Sequence, residues 1–324
     1  MIQHPGDRVL YLSGKGINDR MNVKERQKRM TTLYCGTYAE GGIYKIGFSE
    51  GRFGPAEMFC EIDSPKYLCR GDGFLVSLCK TNGKGGVAVI DENGCIIDEL
   101  GYEDSVPCHV MYQGGRIATS NFHEGTFCLL GFENSLLHLL KKVKIRDKAG
   151  CHMLLPYGDM LLGFALYMDR IYVFDRDLNC VREIVFPEGS GPRHGVFSQD
   201  GRYLYVVSEL SNELFILKSD CWDIVDRVQL IDDPKSTSAA IRLFNGRLYV
   251  SVRGRNRVYE AEIVNEKLRV SACYDCGGSH PRDMIVVQGY AVCANRFTDS
   301  LSCVSQNGVI DTVTVPQAVS VIEH

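Results

Sequence analysis

Four polar residues in the middle of the chain have the types and the spacing of a reaction centre. His152 and Arg193 are 41 residues apart, and Glu209 and Arg253 are 44 residues apart. An imidazole and a carboxylate can transfer protons, whereas guanidinium groups can hold an anion and stabilise a developing negative charge. Both intervals match the period of a repeat in the chain, so the four side chains are expected to converge in the fold.

Ordinary structural roles are the alternative for each of these residues. An arginine that follows Gly-Pro, such as Arg193, can cap a loop, and Glu209 can be a solvated carboxylate in a turn. Taken singly, the residues favour these structural roles. The shared period supports the reaction centre, because it implies that the polar groups converge on one concave surface.

Five further residues are second-rank candidates for ligand binding: His194, His280, Arg282, Asn121 and His123. For Asn121 and His123 a structural role in a turn is the preferred interpretation, because asparagine commonly bonds the backbone two residues on. For Arg282 the alternative is an ion pair with its neighbour Asp283.

The elements that must position these residues are repeated pairs of β-strands. Each unit has a glycine turn, a β-rich run, a polar break and a second alternating run, as in residues 201–217 and 246–260, which is typical of a strand–turn–strand pair. Equivalent positions recur at intervals of about 42 to 45 residues, at Thr37, Cys79, Asn121, Phe164, Glu209, Arg253 and Asn295. This interval is the length of one four-stranded propeller blade.

The repeats predict an all-β fold, a seven-bladed β-propeller with four-stranded antiparallel blades around a central channel, spanning residues 31–324 as a single domain. Residues 309–322 are expected to close the ring by pairing with the N-terminal unit. A pair of β-sandwiches is the alternative fold, and seven repeats of one period argue against it.

Residues 1–30 lie outside the repeat. Residues 21–30 carry a run of charges without an apolar stripe, so a disordered N-terminal extension is predicted. A second hypothesis is that the extension is an artefact of an upstream start and that Met30 is the true first residue.

Composition excludes several classes of function. The net charge of −4 over 324 residues argues against a nucleic-acid surface, and no apolar run is long enough to cross a membrane. Fourteen scattered cysteines without a signal-like segment predict reduced thiols and a cytoplasmic protein. The pair Cys273 and Cys276 lacks the second pair that a structural zinc site needs, so no metal and no cofactor are expected. A monomer or homodimer is expected.

Several segments follow each other in an order that is similar to one known family. They are Gly-Thr-Tyr at 36–38, Ser-Pro-Lys-Tyr-Leu at 64–68, Pro-Cys-His-Val at 107–110, Asn-Phe-His-Glu-Gly at 121–125, Gly-Ser-Gly-Pro-Arg-His at 189–194 and Gly-Ser-His-Pro-Arg-Asp at 278–283. The chain thereby resembles the lactonase-type seven-bladed propellers, which include bacterial 6-phosphogluconolactonases and fungal carboxy-muconate lactonising enzymes.

The resemblance implies a metal-independent hydrolysis of a small anionic sugar lactone, with 6-phospho-D-glucono-1,5-lactone of the pentose phosphate route as the first substrate. It places catalysis on His152, Arg193, Glu209 and Arg253. Under this hypothesis Glu209 activates water or shuttles the proton, His152 donates to the leaving oxygen, and the two arginines hold the anion and the oxyanion.

Other functions remain open at this point. The chain has Ala165, Ser208 and Val252 where many family members have Asp or Asn, so another anionic lactone or a muconate-type lactonising reaction is an alternative. A propeller that only binds a peptide or protein is an alternative of another class. A quinone- or metal-dependent sugar dehydrogenase is a third.

Overall fold

The computed structural model describes residues 30–38 and 41–324. The two predictions for the N-terminal extension, disorder and an alternative start, concern residues 1–29, which lie outside the described residues. Within the described part the strands form seven four-stranded antiparallel sheets, and the seven-bladed propeller predicted from the repeats is confirmed.

The first blade combines both ends of the chain. It contains β28 (Ala318–Glu323), β1 (Thr31–Thr37), β2 (Ile43–Ser49) and β3 (Arg52–Cys60), in that order across the sheet. Blade 2 contains β4 (Leu68–Arg70), β5 (Leu75–Thr81), β6 (Lys84–Ile90) and β7 (Ile96–Glu103). Blade 3 contains β8 (His109–Gln113), β9 (Arg116–Asn121), β10 (Thr126–Glu133) and β11 (Leu136–Lys144). Blade 4 contains β12 (Cys151–Tyr157), β13 (Met160–Ala165), β14 (Arg170–Phe174) and β15 (Cys180–Val185).

Blades 5 to 7 follow the same order, with the first strand of each innermost. Blade 5 contains β16 (Pro192–Phe197), β17 (Tyr203–Ser208), β18 (Glu213–Lys218) and β19 (Ile224–Gln229). Blade 6 contains β20 (Thr237–Phe244), β21 (Arg247–Arg253), β22 (Arg257–Val264) and β23 (Lys267–Asp275). Blade 7 contains β24 (Pro281–Val287), β25 (Tyr290–Asn295), β26 (Ser300–Ser305) and β27 (Gly308–Thr314). Two 3-10 turns, Leu166–Met168 and Arg296–Thr298, are the helical elements of the described residues. Neither turn is long or apolar enough to cross a membrane.

The turns between strands use residues that tolerate a left-handed backbone. Asn245 and Gly246, which join β20 to β21, have φ values of 47° and 76°. Two successive positive φ values are the geometry of the type I′ hairpin, whose twist matches that of the flanking strands. The glycine turns of the sequence repeats are therefore hairpin turns.

The core lies between neighbouring blades. Leu162 and Val173 of blade 4 pack with Leu204 and Phe215 of blade 5, and all four side chains are buried. Burial of such a side chain contributes roughly 1.5–3 kcal/mol. A single blade leaves both faces of its sheet exposed, so the ring of seven is what supplies this contribution.

Ring closure depends on the last strand. Cys35 of β1 pairs with Val321 of β28. The prediction for residues 309–322 is therefore right for their C-terminal half. It is wrong for the first half, where Val309 lies on β27, the outermost strand of blade 7, and pairs with Val304.

Candidate active site at the mouth of the central channel

Three predicted residues occupy the same irregular position at the start of an innermost strand. In β12, Cys151 pairs with Ala165 and Met153 with Phe164, so His152 is the extra residue of a β-bulge. The same register shift makes Arg193 the extra residue of β16 and Arg282 that of β24. A bulge redirects one side chain out of the regular alternation. The repeat thus supplies one redirected polar side chain in each of blades 4, 5 and 7, at one end of the channel.

A cavity of about 210 Å³ opens at this end. Its polar lining includes Tyr38, Lys66, Cys108, His123, His152, Glu209, Arg253 and Arg282. Val106, Pro107 and Phe122 form part of its apolar wall. The cavity is at the small end of ligand sites, which suits a compact polar molecule better than a peptide.

Glu209 is held by two arginines. Its Oε2 atom lies 2.8 Å from Nε of Arg193 and 2.8 Å from Nη2 of Arg253. The Arg193 side chain is 2% exposed and the Glu209 side chain 16%, so the carboxylate faces the cavity and Arg193 lies behind it. Nη1 of Arg193 also donates to the carbonyl oxygen of Ala239 at 2.5 Å. Glu209 directly follows the last residue of β17, whereas Arg253 is the last residue of β21.

The two arginines decide the ionisation of this carboxylate. Burial on its own would raise the pKa of Glu209, but the charges of Arg253 and Arg193 outweigh it and hold the pKa below its usual range. Glu209 is therefore an anion at neutral pH. The same arrangement makes it a weak base, because removal of its charge would leave both arginines uncompensated.

His152 is paired with a second histidine beneath the cavity. Its Nδ1 atom lies 3.1 Å from Nε2 of His194, whose side chain is buried. Burial, together with the positive charge of Arg193, holds the pKa of both imidazoles well below the usual value. Both rings are therefore neutral at pH 7, and Nε2 of His152 is the ring nitrogen left to act in the cavity.

A second polar layer closes the channel below the cavity. Nη2 of Arg242 donates to Oδ1 of Asp283 at 2.7 Å, and Oδ2 of Asp283 accepts from the backbone N–H of Val321 at 3.2 Å. The rings of Tyr67 and His109 are packed 4.6 Å apart between centroids. These contacts join blades 2, 3, 6, 7 and 1 and give the residues that line the cavity a fixed floor.

The structure places the four first-rank residues together, with one distinction. His152, Glu209 and Arg253 line the cavity, whereas Arg193 supports Glu209 from behind. Of the second-rank residues, Arg282 and His123 line the cavity, and the side chain of His123 is exposed. Arg282 does not form the alternative ion pair with Asp283, because Asp283 pairs with Arg242.

The other second-rank residues lie outside the cavity lining. Asn121 has the preferred turn role, because its Oδ1 accepts from the backbone N–H of His123 at 3.1 Å and its Nδ2 donates to the carbonyl of Ser105 at 2.9 Å. His280 stacks on Phe297 at 4.3 Å. Burial and the neighbouring arginines lower the pKa of His280 to about 4.

Sequence reasoning missed two contributors, Lys66 and Tyr38. The Tyr38 ring contacts three cations, with Nζ of Lys66 at 4.6 Å and the Cζ atoms of Arg282 and Arg296 at 5.6 and 3.3 Å from its centroid. A signal for Lys66 was present. It precedes Cys108 by 42 residues and Cys108 precedes His152 by 44, so the repeat period places all three at the same end of the channel.

Thiol and metal chemistry have no visible centre in the described part of the chain. All fourteen cysteines are free, and Cys276 is buried while Cys273 is exposed. Within residues 30–38 and 41–324, no group of three or more His, Cys, Asp or Glu side chains is arranged to hold a metal ion. The polar groups at the channel mouth can transfer protons and bind anions.

Comparisons with known proteins agree with this arrangement. The sequence profile of the family described as "Lactonase, 7-bladed beta-propeller" matches residues 32–320. The 6-phosphogluconolactonase of Bacillus subtilis is 25% identical over 89% of this chain and 95% of its own length.

Solved structures show the same fold. A protein from Lactobacillus plantarum is 24% identical and superposes with a TM-score of 0.83 over 91% of this chain and 99% of its own. The periplasmic gluconolactonase of Pseudomonas aeruginosa is 19% identical, with a TM-score of 0.80 over 91% and 99% of the two chains. At these sequence identities, the two structures show only that the fold is shared.

Proposed function

This chain belongs to the lactonase family of seven-bladed β-propellers, and we propose that it hydrolyses 6-phospho-D-glucono-1,5-lactone to 6-phosphogluconate. The observation that carries the proposal is the charge of the cavity. Among the described residues, Lys66, Arg253 and Arg282 line it together with a single carboxylate, Glu209, which is already neutralised by Arg193 and Arg253. Such a surface favours an anion.

Proton transfer is assigned to His152. Its imidazole is neutral before substrate binds, because burial and the adjacent cations lower its pKa. In the tautomer that carries its proton on Nδ1 and donates it to His194, Nε2 can accept a proton from the attacking water. The resulting imidazolium then returns the proton to the ring oxygen that leaves as the lactone opens. A bound anion offsets the cations and raises the pKa of His152 toward the range in which both transfers are efficient.

The other groups bind and orient. Arg253 lines the cavity and can stabilise the oxyanion of the tetrahedral intermediate, as a fixed cationic donor does. Glu209, held by Arg193 and Arg253, can accept a hydrogen bond from the attacking water or from a sugar hydroxyl. This differs from the sequence-based assignment of Glu209 as the principal base, because two arginines on its Oε2 atom make the carboxylate weakly basic.

The biological setting follows from the substrate. The product, 6-phosphogluconate, belongs to the oxidative pentose phosphate route, and we place the enzyme in the cytoplasm. Fourteen free cysteines are compatible with a reducing compartment.

The test is hydrolysis of 6-phosphogluconolactone, generated in situ, above the spontaneous background. Wild type is compared with His152→Gln and Glu209→Gln, and with Glu262→Gln as a control on the outer part of blade 6, where Glu262 pairs with Arg247. Fast turnover that is lost in the first two variants and kept in the control supports the proposal. A wild type that leaves the background rate unchanged would exclude this substrate.

Other anionic lactones, including muconate-type lactones, form the second panel of the same assay. The same cationic lining could hold a carboxylate in place of a phosphoryl group. Turnover of one of these with no turnover of 6-phosphogluconolactone would keep the family reaction and replace the substrate.

A further inference from the structure

We propose that Lys66 and Arg282, supported by Arg296, form a distinct subsite around Tyr38 that binds the phosphoryl group of the substrate. The three cations all contact one aromatic ring, at 4.6, 5.6 and 3.3 Å from its centroid. Lys66 and Arg282 also line the cavity that contains Glu209. The identity of the phosphorylated ligand rests on the proposed function, whereas the cation cluster does not.

The first argument concerns the charge balance of these cations. Within residues 30–38 and 41–324, none of Lys66, Arg282 and Arg296 forms an ion pair with a carboxylate, whereas the nearby Arg242 is paired with Asp283 at 2.7 Å. Grouping cations away from bulk water without an anion is costly, because they repel one another and lose hydration. A ligand that brings negative charge removes this cost on binding.

The second argument is the position of the cluster around the ring. Arg282 belongs to blade 7 and Tyr38 follows β1 of blade 1, while Lys66 precedes β4 of blade 2. These three blades are consecutive, because β28 of blade 1 lies between β24 and β4. Reaction residues His152, Glu209 and Arg253 come from blades 4, 5 and 6. The cavity therefore has an anion-binding sector and a reaction sector.

This division fits the connectivity of a phosphorylated sugar lactone. Its phosphoryl group is separated from the carbonyl carbon by several bonds, so one set of groups cannot hold both. A phosphoryl group carries about −1.5 to −2 charges at pH 7 and three acceptor oxygens. A guanidinium fork and an ammonium supply complementary donors, and more than one unpaired cation suits a phosphoryl dianion better than a carboxylate.

Tyr38 positions the cations of this subsite. Its ring face attracts cations, which partly offsets the repulsion among the three side chains. Arg296, with its Cζ atom 3.3 Å from the ring centroid, adds positive charge while Lys66 and Arg282 make the direct contacts.

The experiment measures binding by titration calorimetry of three stable probes: 6-phosphogluconate, gluconate and inorganic phosphate. Wild type is expected to bind 6-phosphogluconate at least 10-fold more tightly than gluconate. Lys66→Met is expected to weaken 6-phosphogluconate binding by about 10- to 100-fold, the worth of a hydrogen bond to a charged group, and to leave gluconate binding within about 2-fold. Lys80→Met, at an exposed position on β5 outside the cavity, is the matched charge control.

A second pair of variants guards against misfolding of Lys66→Met. Lys66→Arg keeps the charge and is expected to retain the preference for 6-phosphogluconate, whereas Arg296→Gln is expected to reduce it in part. Equal affinity of wild type for 6-phosphogluconate and gluconate would overturn the subsite, even if lactone hydrolysis is confirmed. Preferential binding of 6-phosphogluconate without hydrolysis of any lactone would instead keep the subsite and overturn the proposed function.

Discussion

The Nδ1 atom of His152 lies 3.1 Å from the Nε2 atom of His194. In neutral histidines one of these two nitrogens must carry the proton and the other must accept it. If His152 donates from Nδ1, its Nε2 in the cavity is a proton acceptor. His194 thereby controls whether His152 can remove a proton from water, although His194 itself does not line the cavity.

The first prediction concerns this pair. His194→Phe removes the acceptor for Nδ1 and is expected to lower kcat by about 10- to 100-fold, with KM changed by less than about 3-fold. The loss is smaller than the roughly 10²–10⁴-fold that a general base contributes, because His152 itself remains. His194→Gln, whose side-chain oxygen can accept the same proton, is expected to recover part of the rate. Nitrogen-15 NMR of the His152 ring reports the tautomer directly. An unchanged tautomer and an unchanged kcat in His194→Phe would contradict the assignment.

The second prediction separates folding from turnover at the Arg193–Glu209 pair. Because Arg193 is 2% exposed and in ion-pair contact with Glu209 at 2.8 Å, Arg193→Met leaves a partly buried carboxylate with one arginine. The free energy of unfolding is expected to fall by about 3–5 kcal/mol, the scale for breaking a buried pair. Turnover is expected to fall as well, by about 100-fold, because Glu209 loses its fixed orientation.

Chemical denaturation and kinetics of the same preparations test this prediction. Arg116→Met, which removes a half-exposed partner of the exposed Asp177 between blades 3 and 4, is the control and is expected to cost less than about 1 kcal/mol. A Glu209 site that tolerated Arg193→Met with full stability would show that the buried pair contributes little.

The third prediction is the pH dependence of kcat/KM. Burial and nearby cations lower the pKa of His152, and the arginines hold that of Glu209 below its usual range. Both groups act in the deprotonated form, so activity is present above their pKa values and is lost only as the pH falls through them. With unphosphorylated glucono-1,5-lactone, no loss of kcat/KM is expected around pH 6.5. With the phosphorylated lactone, a decline near pH 6 is expected because the phosphoryl group gains a proton.

A decline near pH 6.5 with both lactones would indicate a histidine of ordinary pKa in the reaction. The spontaneous reaction is subtracted at each pH, and Glu262→Gln serves as the control for stability across the range.

The fourth prediction concerns the alkaline limit of phosphoryl binding. Burial lowers the pKa of Lys66, and Arg282 and Arg296 lower it further, while Tyr38 and Cys108 oppose them. Lys66 binds in the charged form, so affinity for 6-phosphogluconate is expected to weaken as the pH rises through this lowered pKa, below the usual lysine range. Lys66→Arg is expected to remove the decline, since arginine stays protonated. Calorimetric titrations between pH 7 and 10 measure both curves, and identical curves would exclude Lys66 as the titrating contact.

The repeat period predicted the fold and the approximate level of the site because both depend on local patterns. Hairpin turns such as Asn245-Gly246, and the alternation of apolar and polar residues along the strands, depend only on residues that are adjacent in the sequence. The period also brought His152 and Arg193 to the same position of successive blades, where the structure has β-bulges.

Contacts between neighbouring blades at the channel could not be predicted in this way. The packing of Arg296 on Tyr38 joins residues from opposite ends of the chain, and the pairing of Asp283 with Arg242 displaced the expected pair with Arg282. Arg282 is the extra residue of the β24 bulge and lines the cavity, whereas Asp283 resumes the regular pairing and bonds Arg242 in the layer below. Which side chains meet in the middle of the ring depends on closure and packing, which a single sequence does not specify.

The fifth prediction tests ring closure with two valines of the C-terminal segment. Val321 is fully buried where β28 pairs with β1, whereas Val309 on β27 is 51% exposed. Val321→Asp places a carboxylate in the core between blades 7 and 1 and is expected to lower the free energy of unfolding by more than about 3 kcal/mol. Val309→Asp is expected to change it by less than about 1 kcal/mol. Urea denaturation of both variants distinguishes them. Equal losses would mean that residues 309–314 share in closing the ring.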